Sequence, residues 1–398
     1  MIDLMGPSPD FPAQLDELLG LVPVAATLPH AWLVGGAVRD VLLGNGASVV
    51  DFDLLIEGDA VAAAEQLSAA LDGTVTVHER FGTATVSAGG HVYDLATARA
   101  ESYPAPGALP DVRPGTVKED LLRRDFTVNA IAIAFDGRVE AAPHAFEDFA
   151  ARRLRILHDA SFRDDPTRLL RLVRYATRLG FGVEAETAAL ADEAVAGGAL
   201  ATVTPARIGS ELRLLLREPA AVAALARVAG WPLGVSLVVD ASLVERAAAL
   251  LPPDGRADLL LLGSACRSVE SVALASWLDA LGFPARERDT VAGVARADGI
   301  EGRLVGASRP SELATVVRGA PIEAVALAGA LGAPDAARAW ISDLRHVRLA
   351  IVGADLLAAG IPQGEAIGRA LAAALNARLD GAAPDRDAQL AVALAAAG

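Results

Sequence analysis

The stretch Leu33-Val34-Gly35-Gly36-Ala37-Val38-Arg39-Asp40, followed by Asp51-Phe52-Asp53-Leu54, decides the fold of the first part of the chain. Two glycines between an apolar run and a helical run predict a strand–turn–helix unit. The backbone N–H groups of Gly36 and its neighbours can approach a phosphate there, helped by the helix N-terminus. Arg39 lies one turn into the helix, where it can reach a triphosphate. A Gly-Gly turn can also serve packing alone, so both interpretations stay open.

Asp51 and Asp53 are two residues apart on the next predicted strand, so their carboxylates share one face. Adjacent like charges repel unless a cation bridges them, and Mg²⁺ is bound by one or two carboxylates together with substrate phosphates. An isolated pair could equally be a solvated pair on an edge strand, but a pair on the strand after a Gly-Gly turn favours metal-dependent nucleotidyl transfer. Asp94, in the strand-like run 91–95, is a weaker candidate for a third catalytic carboxylate and is otherwise an ordinary surface residue.

A second motif, Arg123-Arg124-Asp125-Phe126-Thr127-Val128-Asn129-Ala130, follows a loop rich in proline and glycine. Arginines are a common clamp for the oxygens of a transferring phosphoryl group. In this interpretation Asp125 orients an arginine and Asn129 holds a sugar hydroxyl. The alternative is a surface cluster of ion pairs at a helix start.

A third motif, Asp164-Asp165-Pro166-Thr167-Arg168, predicts a helix over 167–179, with Asp165 as its N-cap and Gly180 at its end. Asp165 and Arg168 are one turn apart and present acceptor and donor edges that can read a base. The alternative is a capped helix with a solvated basic face. The helix carries four arginines at near-regular steps: Arg168, Arg171, Arg174 and Arg178.

The pattern around these motifs alternates between helix and strand up to about residue 140 and is helical beyond about residue 160. We predict helices over 11–21, 37–43 and 60–71, strands over 31–34, 49–56, 74–78, 83–87 and 91–95, a loop over 103–115, and a strand or buried helix over 129–135.

Composition bounds the class of protein. The 398 residues are 53% hydrophobic and have a formal net charge of −15, which excludes global disorder and argues against a general coat on nucleic acid. A single cysteine excludes a disulfide scaffold. Residues 18–38 carry no charge, but their prolines and glycines predict helix, loop and buried strand instead of a membrane span. No signal peptide is evident, so a cytoplasmic protein without membrane contact is expected.

Charge is unevenly distributed along the chain. Residues 1–112 hold 15 acidic and 3 basic residues, a net charge of −12, whereas residues 113–178 hold 10 acidic and 13 basic residues, a net charge of +3. The net-positive segment, 113–178, contains both arginine motifs, which predicts a local basic groove on an acidic body.

Together the motifs resemble the class II tRNA nucleotidyltransferases (CCA-adding enzymes) and bacterial poly(A) polymerases of the DNA polymerase β superfamily. Their G-G-x-V-R-D-x-L-L-G motif lies at 35–44, D-x-D at 51–53 and R-R-D-F-T-x-N-A at 123–130. The E-D-x-x-R-x-x-R-x-x-R motif lies at 164–174, with Asp164 in place of glutamate. R-x-x-x-E-L at 207–212 and a weaker match at 353–368 complete the set.

The resemblance implies an α/β (α+β) nucleotidyltransferase head with a small, five-stranded mixed β-sheet, followed by an all-helical neck, body and tail. We place the head at 1–155, the neck with its nucleotide-selecting helix at 156–220, the RNA-binding body at 221–330 and the tail at 331–398. It also implies a role for each matching residue: Asp51 and Asp53 bind Mg²⁺, Gly36, Arg39 and Arg124 contact the nucleotide, Asp165 and Arg168 pair with the base, and Arg171 and Arg174 complete the pocket.

The implied function is template-independent addition of CCA from CTP and ATP to the 3′ end of tRNA. A CC-adding enzyme, an A-adding enzyme and a poly(A) polymerase are alternatives within the family, and the segment 96–118 is a candidate determinant of that choice. A catalytically silent RNA-binding relative is the alternative from another class. Too few histidines follow residue 158 for the His-Asp phosphohydrolase domain that some relatives carry.

Overall fold

The computed structural model describes residues 11–22, 27–28, 30–45, 49–78 and 82–397. The chain divides into two compact units, Met1–Thr204 and Pro205–Gly398. Within the described residues the first unit combines strands and helices and the second contains helices without strands. This confirms the predicted fold class, a head with a mixed sheet followed by an all-helical part.

The first unit is built on a mixed sheet of seven strands in the order β3-β4-β5-β2-β1-β8-β9. Strands β2 and β5 are parallel, whereas the other neighbours in this sheet are antiparallel. Seven strands exceed the five that the resemblance implies. The strands are β1 (Ala31–Val34), β2 (Asp51–Ile56), β3 (Thr74–His78), β4 (Thr83–Ala88), β5 (His91–Thr97), β6 (Arg99–Ser102), β7 (Asp111–Pro114), β8 (Ile131–Ala134), β9 (Val139–Ala141), β10 (Arg153–Leu154) and β11 (Gly182–Val183).

Local signals place most helices of the first unit. The helix predicted over 167–179 has these bounds, and Gly180 adopts φ +64° at its end. Its N-cap residue is Pro166 and not the predicted Asp165, because Pro166 already has helical dihedral angles; Asp165 lies one position earlier and accepts the Thr167 N–H. The helices are α1 (Phe11–Leu21), α2 (Gly35–Leu42), α3 (Ala60–Leu71), α4 (Val117–Leu122), α5 (Ala145–Ala150), α6 (Ser161–Asp164), α7 (Thr167–Leu179) and α8 (Ala185–Ala196).

The second unit packs its helices around two groups of buried apolar side chains. One group draws on residues between Leu243 and Ile341, and the other on residues between Ile351 and Ala393. The helices are α9 (Pro205–Leu216), α10 (Ala221–Val228), α11 (Ala241–Ala248), α12 (Ala257–Ala265), α13 (Ser271–Ala280), α14 (Ala285–Ala295), α15 (Ala297–Gly306), α16 (Pro310–Val316), α17 (Ile322–Leu331), α18 (Pro334–Ser342), α19 (Gly353–Ala358), α20 (Glu365–Leu379) and α21 (Arg386–Ala397).

The uncharged stretch 18–38 is not a membrane span. Helix α1 ends at Leu21 and the buried strand β1 begins at Ala31, as predicted, while residues 23–26 and 29 between them lie outside the described residues. Within the described part of the chain, no helix is both long and apolar enough to cross a membrane.

Two predicted segments differ in the structure. The loop predicted over 103–115 contains strand β7, which pairs antiparallel with β6, so its proline- and glycine-rich sequence is largely the connection of a hairpin. The segment predicted over 129–135 is divided between a 3₁₀ turn at Thr127–Asn129 and strand β8. Strands β6 and β7 were missed because neither carries an apolar alternation.

Strand β2 separates the core of the first unit from its open face. Phe52 and Leu54 are buried, and the Phe52 ring stacks on Tyr93 of β5 with centroids 5.4 Å apart. Asp51 and Asp53 alternate with them and are exposed on the opposite face. The parallel register pairs Asp53 with Asp94 of β5, so the sheet gathers three carboxylates on neighbouring strands.

The packing around Gly209 in α9 predicts that an alanine there would destabilise the protein, and Gly302 in α15 offers a matched control. A methyl group at Gly209 would collide with the backbone carbonyl of Leu281, whereas Gly302 in α15 has open space around it. Overpacking costs about 1–3 kcal/mol, while replacing a helical glycine by alanine gains about 1 kcal/mol. We expect Gly209→Ala to lower the free energy of unfolding and Gly302→Ala to raise it, as measured by urea denaturation of the whole chain. Equal effects of the two substitutions would contradict this packing.

Candidate active site

A cleft of about 1200 Å³ opens over the exposed face of the main sheet in the first unit. Its walls come from the sheet, α2, the second motif and α7. The predicted residues that line it are Gly36, Arg39, Asp51, Asp53, Asp94, Arg124, Asp165, Arg168 and Arg171. Among the described residues, Arg174 is the one predicted site residue outside this lining.

The Gly-Gly turn lies directly against Asp53. Gly35 adopts φ +73°, and a methyl group on it would collide with the Asp53 carboxylate. The backbone N–H of Gly36 donates to that same carboxylate. Strand β1 brings the turn there, because its last residue Val34 pairs with Asp53. Gly35 is therefore needed for a close approach between the backbone and a carboxylate, whereas a methyl group at Gly36 would make only an ordinary contact.

The environment of Asp53 disfavours its ionised form. Burial at the base of the cleft raises the pKa of Asp53 above its ordinary value of 3.8, although the side chain stays open to solvent at the cleft mouth. The Asp94 and Asp51 carboxylates raise the pKa further, while the Gly36 N–H and the Arg124 guanidinium lower it. An added cation between these carboxylates would relieve the repulsion that raises this pKa.

The carboxylates fit a divalent metal as a pair more closely than as a triad. Within the described residues, no three His, Cys, Asp or Glu side chains converge as one metal-ligand set. Asp51 and Asp53 supply two oxygen donors, which suffices for a hard cation whose other positions are filled by water and substrate phosphates.

Asp94 is held by its own strand neighbours. Thr85 of β4 donates its hydroxyl to Asp94 Oδ1 over 2.6 Å, and His78 Nε2 lies 3.3 Å from the same hydroxyl. One oxygen of Asp94 is thus engaged by the sheet, and its neighbour Asp53 is the carboxylate it influences electrostatically. A catalytic role for Asp94 stays a prediction.

Asp120, which sequence reasoning missed, organises the second motif. It is fully buried in α4; its Oδ2 accepts from Nε and Nη2 of Arg123 (3.0 and 2.6 Å), and its Oδ1 accepts from Nε and Nη2 of Arg124 (3.3 and 3.1 Å). Both guanidinium groups line the cleft. A buried carboxylate shared by two arginines fixes their orientation, since either arginine would lose a charged partner by moving. The signal available was an acidic residue three and four positions before two arginines on a helix.

Arg123 also connects the second motif to the hairpin of β6 and β7. Glu101 accepts from Arg123 Nη1 over 3.2 Å, from Arg99 over 2.8 Å and from the Tyr103 hydroxyl over 3.1 Å. Burial, above all, raises the pKa of Tyr103 to about 12, and Glu101 adds to this shift. The Tyr103 hydroxyl therefore remains protonated and serves as a hydrogen-bond donor at the cleft wall.

Asp125 joins the second motif to α7. Its Oδ2 accepts from Nε and Nη2 of Arg171 over 2.9 and 2.7 Å, and its Oδ1 accepts from the Asn129 amide over 3.0 Å. Burial alone would raise the pKa of Asp125, but Arg171 and the Asn129 amide outweigh it and hold the pKa below its ordinary range. Asn129 Oδ1 in turn accepts from Arg39 Nη1 over 3.3 Å. The expectation that Asp125 orients an arginine thus has a defined partner, Arg171.

The start of α7 holds the proposed base-reading pair in place. Asp165 Oδ1 accepts from the Thr167 N–H and hydroxyl over 3.0 and 2.6 Å. Arg168 is buried; its Nη1 donates to Ser161 Oγ over 2.6 Å and its Nη2 to the Arg123 carbonyl over 2.7 Å. These bonds hold both side chains in fixed orientations at the cleft wall.

Tyr175, also missed by sequence reasoning, is the aromatic centre of the arginine group. The guanidinium carbons of Arg174, Arg171 and Arg39 lie 4.9, 5.5 and 5.6 Å from its ring centroid. Arg174 approaches the site through this ring, and Tyr175 and Arg178 both line the cleft. The sequence feature that could have identified Tyr175 is its position as the single aromatic residue of an arginine-rich helix.

The arrangement can hold a nucleotide triphosphate between two carboxylates and a set of oriented arginines. Carboxylates suit a hard divalent cation, and the arginine groups suit phosphate oxygens. Such a site favours transfer of a phosphoryl group by positioning and by stabilising developing charge.

Comparisons with known proteins agree with this geometry. Residues 31–155 match the family model described as the poly A polymerase head domain. This range covers the main sheet from β1 to β9 and includes the Gly-Gly turn, the aspartates of β2 and β5, and the second motif.

Curated relatives extend the match beyond the head. The A-adding tRNA nucleotidyltransferase of Geobacter sulfurreducens is 34% identical over 407 residues, covering 94% of this chain and 46% of that protein. The CC-adding tRNA nucleotidyltransferase of Deinococcus radiodurans is 40% identical over 212 residues, covering 52% of this chain and 54% of that protein. The chain spans about half the length of the curated relatives it matches.

The fold is shared with solved structures over nearly the full length. The Thermotoga maritima CCA-adding enzyme complexed with tRNA_CCA superposes with a TM-score of 0.73 and 26% identity, covering 96% of this chain and 98% of that one. Nucleotidyltransferases of this family generally use divalent metal ions, in keeping with the carboxylate pair. The motifs, the cleft and these matches show that the chain belongs to the family of tRNA nucleotidyltransferases and bacterial poly(A) polymerases, with its head domain at residues 31–155.

Proposed function

We propose that this chain adds nucleotides to the 3′ end of tRNA without a nucleic-acid template, using CTP and ATP to build CCA. One observation carries the proposal: the carboxylate pair Asp51 and Asp53 and the base-reading pair Asp165 and Arg168 line the same cleft. A catalytic pair alone would support any nucleotidyl transfer, whereas a polar pair on the same cleft supplies a protein surface that selects the base. Relatives named for tRNA nucleotide addition support the choice of substrate.

The reaction follows from the residues of the cleft. The tRNA 3′ hydroxyl attacks the α-phosphorus of the bound nucleotide, a new O–P bond forms, and pyrophosphate leaves with the electrons of the broken bond. Asp51 and Asp53 would hold Mg²⁺, which when bound lowers the pKa of the attacking hydroxyl and stabilises the developing negative charge. Gly36, Arg39 and Arg124 would place the phosphates.

Base selection falls to Asp165 and Arg168. A carboxylate and a guanidinium present complementary acceptor and donor groups, so they can pair with the edge of cytosine or adenine. A base that mismatches leaves polar groups of the pair without partners, which is the most effective basis for discrimination by hydrogen bonding. Arg171 and Arg174 would complete this pocket, the latter through Tyr175.

The proposal assigns the head to 1–155, the neck to 156–220, an RNA-binding body to 221–330 and a tail to 331–398. It also places the protein in the cytoplasm with tRNA as its partner. CC addition, A addition and poly(A) synthesis are the alternatives within the family, and relatives of the first two kinds are similar to this chain.

The decisive experiment supplies the purified chain with tRNA lacking CCA, tRNA ending in C and tRNA ending in CC, each with CTP, ATP or both. We expect two cytidines and then one adenosine to be added, and sequencing of the products reads this directly. Cytidines alone would identify a CC-adding enzyme, one adenosine added only to tRNA ending in CC an A-adding enzyme, and a long adenosine tail a poly(A) polymerase. No product on any substrate would contradict nucleotidyl transfer.

Asp53→Asn is expected to separate catalysis from stability. Nucleotide addition should fall by more than about 100-fold, beyond the loss from mutating groups that merely support a metal ligand. Because burial raises the pKa of Asp53, the folded state holds the Asp53 proton more tightly than the unfolded chain does. Ionised Asp53 therefore costs stability above its ordinary pKa of 3.8, and that cost disappears at lower pH.

In metal-free buffer at neutral pH, the Asp53→Asn variant should therefore have a higher melting temperature than the unmodified chain, and the difference should shrink as the pH falls toward 3.8. Added Mg²⁺ should raise the melting temperature of the unmodified chain more than that of the variant. Asp192→Asn, at an exposed position of α8, is the control and should change neither property. Retained activity in the Asp53 variant would contradict the mechanism.

Asp120→Asn tests whether the buried carboxylate positions the arginines of the second motif. An amide cannot balance two guanidinium charges, so we expect the KM for nucleotide to rise about tenfold to 100-fold, the usual range for losing a supporting partner. The KM for tRNA should change less, because Arg123 and Arg124 line the nucleotide cleft. Circular dichroism checks that the variant folds; a folded variant with an unchanged KM for nucleotide would contradict the positioning role.

A further inference from the structure

A second recess, of about 610 Å³, lies within the helical unit and has no part in the cleft described above. It is bordered by α14, α15 and the connection between α16 and α17. Arg296, Arg303 and Arg318 lie on its walls, and all three are exposed. The recess therefore has three cationic side chains facing solvent on an otherwise acidic chain.

The charge of these arginines is not cancelled by neighbouring acids. Within the described residues, none of the three forms an ion pair with a carboxylate; Arg296 donates to Ser271 Oγ over 2.9 Å and Arg303 donates to the Gly299 carbonyl over 3.0 Å. The acidic residues near the recess, Asp289 and Asp298, pair with other arginines.

Asp289, which lies on the wall of the recess, pairs with Arg288 over 3.0 Å. Asp298, adjacent in sequence to the recess, pairs with Arg267 over 2.6 Å. Arg288 also pairs with Asp279, so it is shared between two acids. The recess lining still has three arginines against the single carboxylate of Asp289, so the charge facing the recess is positive.

The floor of the recess brings backbone within reach of a ligand. Gly293, Gly299 and Gly319 contribute to its lining, together with Ala320. Gly319 adopts φ +77°, a conformation that favours glycine. Gly299 and Gly319 have open space around them, so a bulky anionic group can approach the guanidinium groups at this part of the recess.

The lining also excludes other ligand classes. It contains no aromatic ring on which a base can stack and only one carboxylate, Asp289, for a metal ion. Its three arginines can donate hydrogen bonds to phosphate oxygens, which suits a chain of phosphates. The lining has no group that can stack on a nucleobase and so gives little means of recognising one.

We propose that this recess binds phosphates of the RNA backbone, with Arg296, Arg303 and Arg318 as the contacting residues. The inference rests on the proposed function, because tRNA is the RNA it would hold. Binding of this kind is independent of sequence and weakens with salt, since each phosphate contact releases a counterion. The recess would contribute to the affinity for tRNA while leaving nucleotide binding in the head unchanged.

The test compares two triple variants of the full chain that remove the same charge. Arg296→Gln, Arg303→Gln and Arg318→Gln together remove the recess arginines. Arg227→Gln, Arg246→Gln and Arg286→Gln remove three exposed arginines of the same unit that also lack a carboxylate partner within the described residues and lie outside the recess. Affinity for tRNA lacking CCA is measured by fluorescence anisotropy at several salt concentrations, and nucleotide addition is followed in parallel.

We expect the recess variant to bind tRNA at least about tenfold more weakly and to reduce the slope of log K against log salt by about 2 to 3, close to one per lost phosphate contact. Its KM for CTP should be unchanged, and the control variant should change binding much less. Equal losses in both variants, or unchanged tRNA affinity in the recess variant, would overturn the proposal. Failure of the unmodified chain to extend tRNA would instead contradict the proposed function.

A free nucleotide is the other source of phosphate for such a site. Equilibrium dialysis with labelled CTP counts the nucleotides bound by each variant. We expect the same number for the unmodified chain and the recess variant. Loss of one bound CTP in the recess variant would show that the recess holds a nucleotide and would overturn the assignment to the RNA backbone.

Discussion

The close approach of the Asp53 carboxylate to the backbone of Gly35 and Gly36 is the constraint on which the candidate active site depends. Any side chain at Gly35 would collide with the carboxylate, and the Gly36 N–H donates to it. The sheet register that pairs Val34 and Asp94 with Asp53 brings these groups together. One contact thus joins the Gly-Gly turn, the aspartates of β2 and the start of α2.

This contact places a carboxylate where its ionised form is disfavoured. Burial in the cleft raises the pKa of Asp53, and repulsion from Asp94 and Asp51 raises it further, so the ionised carboxylate is destabilised without a cation. The ionised carboxylate lowers the free energy of unfolding, and the binding of a divalent ion would raise it again. This destabilisation is consistent with a binding role for the pair, because a purely structural pair of aspartates would gain nothing from being held together.

Sequence reasoning succeeded where the determining forces are local. The bounds of α7 follow from the Asp165-Pro166 pair at its start and a glycine at its end, although Pro166 and not Asp165 is the N-cap. The two faces of β2 follow from alternation, so both elements were predictable. It failed where burial decides. Asp120 is an ordinary acidic residue in the sequence, and only the fold shows that it is fully enclosed with two arginines around it. Tyr175 likewise gains its importance from Arg39, which is distant along the chain.

Pairing of arginines also resolves the apparent conflict between an acidic chain and the anionic substrate that we propose. In the cleft of the first unit, Asp120 and Asp125 bind Arg123, Arg124 and Arg171, so these guanidinium groups are oriented with part of their charge balanced. Oriented arginines give precise contacts to a small triphosphate but attract a long polyanion weakly. Attraction of RNA then requires arginines without acidic partners, and the recess of the helical unit provides three of them in one place. The net charge of −15 therefore limits non-specific binding, while the distribution of ion pairs decides where a phosphate can bind.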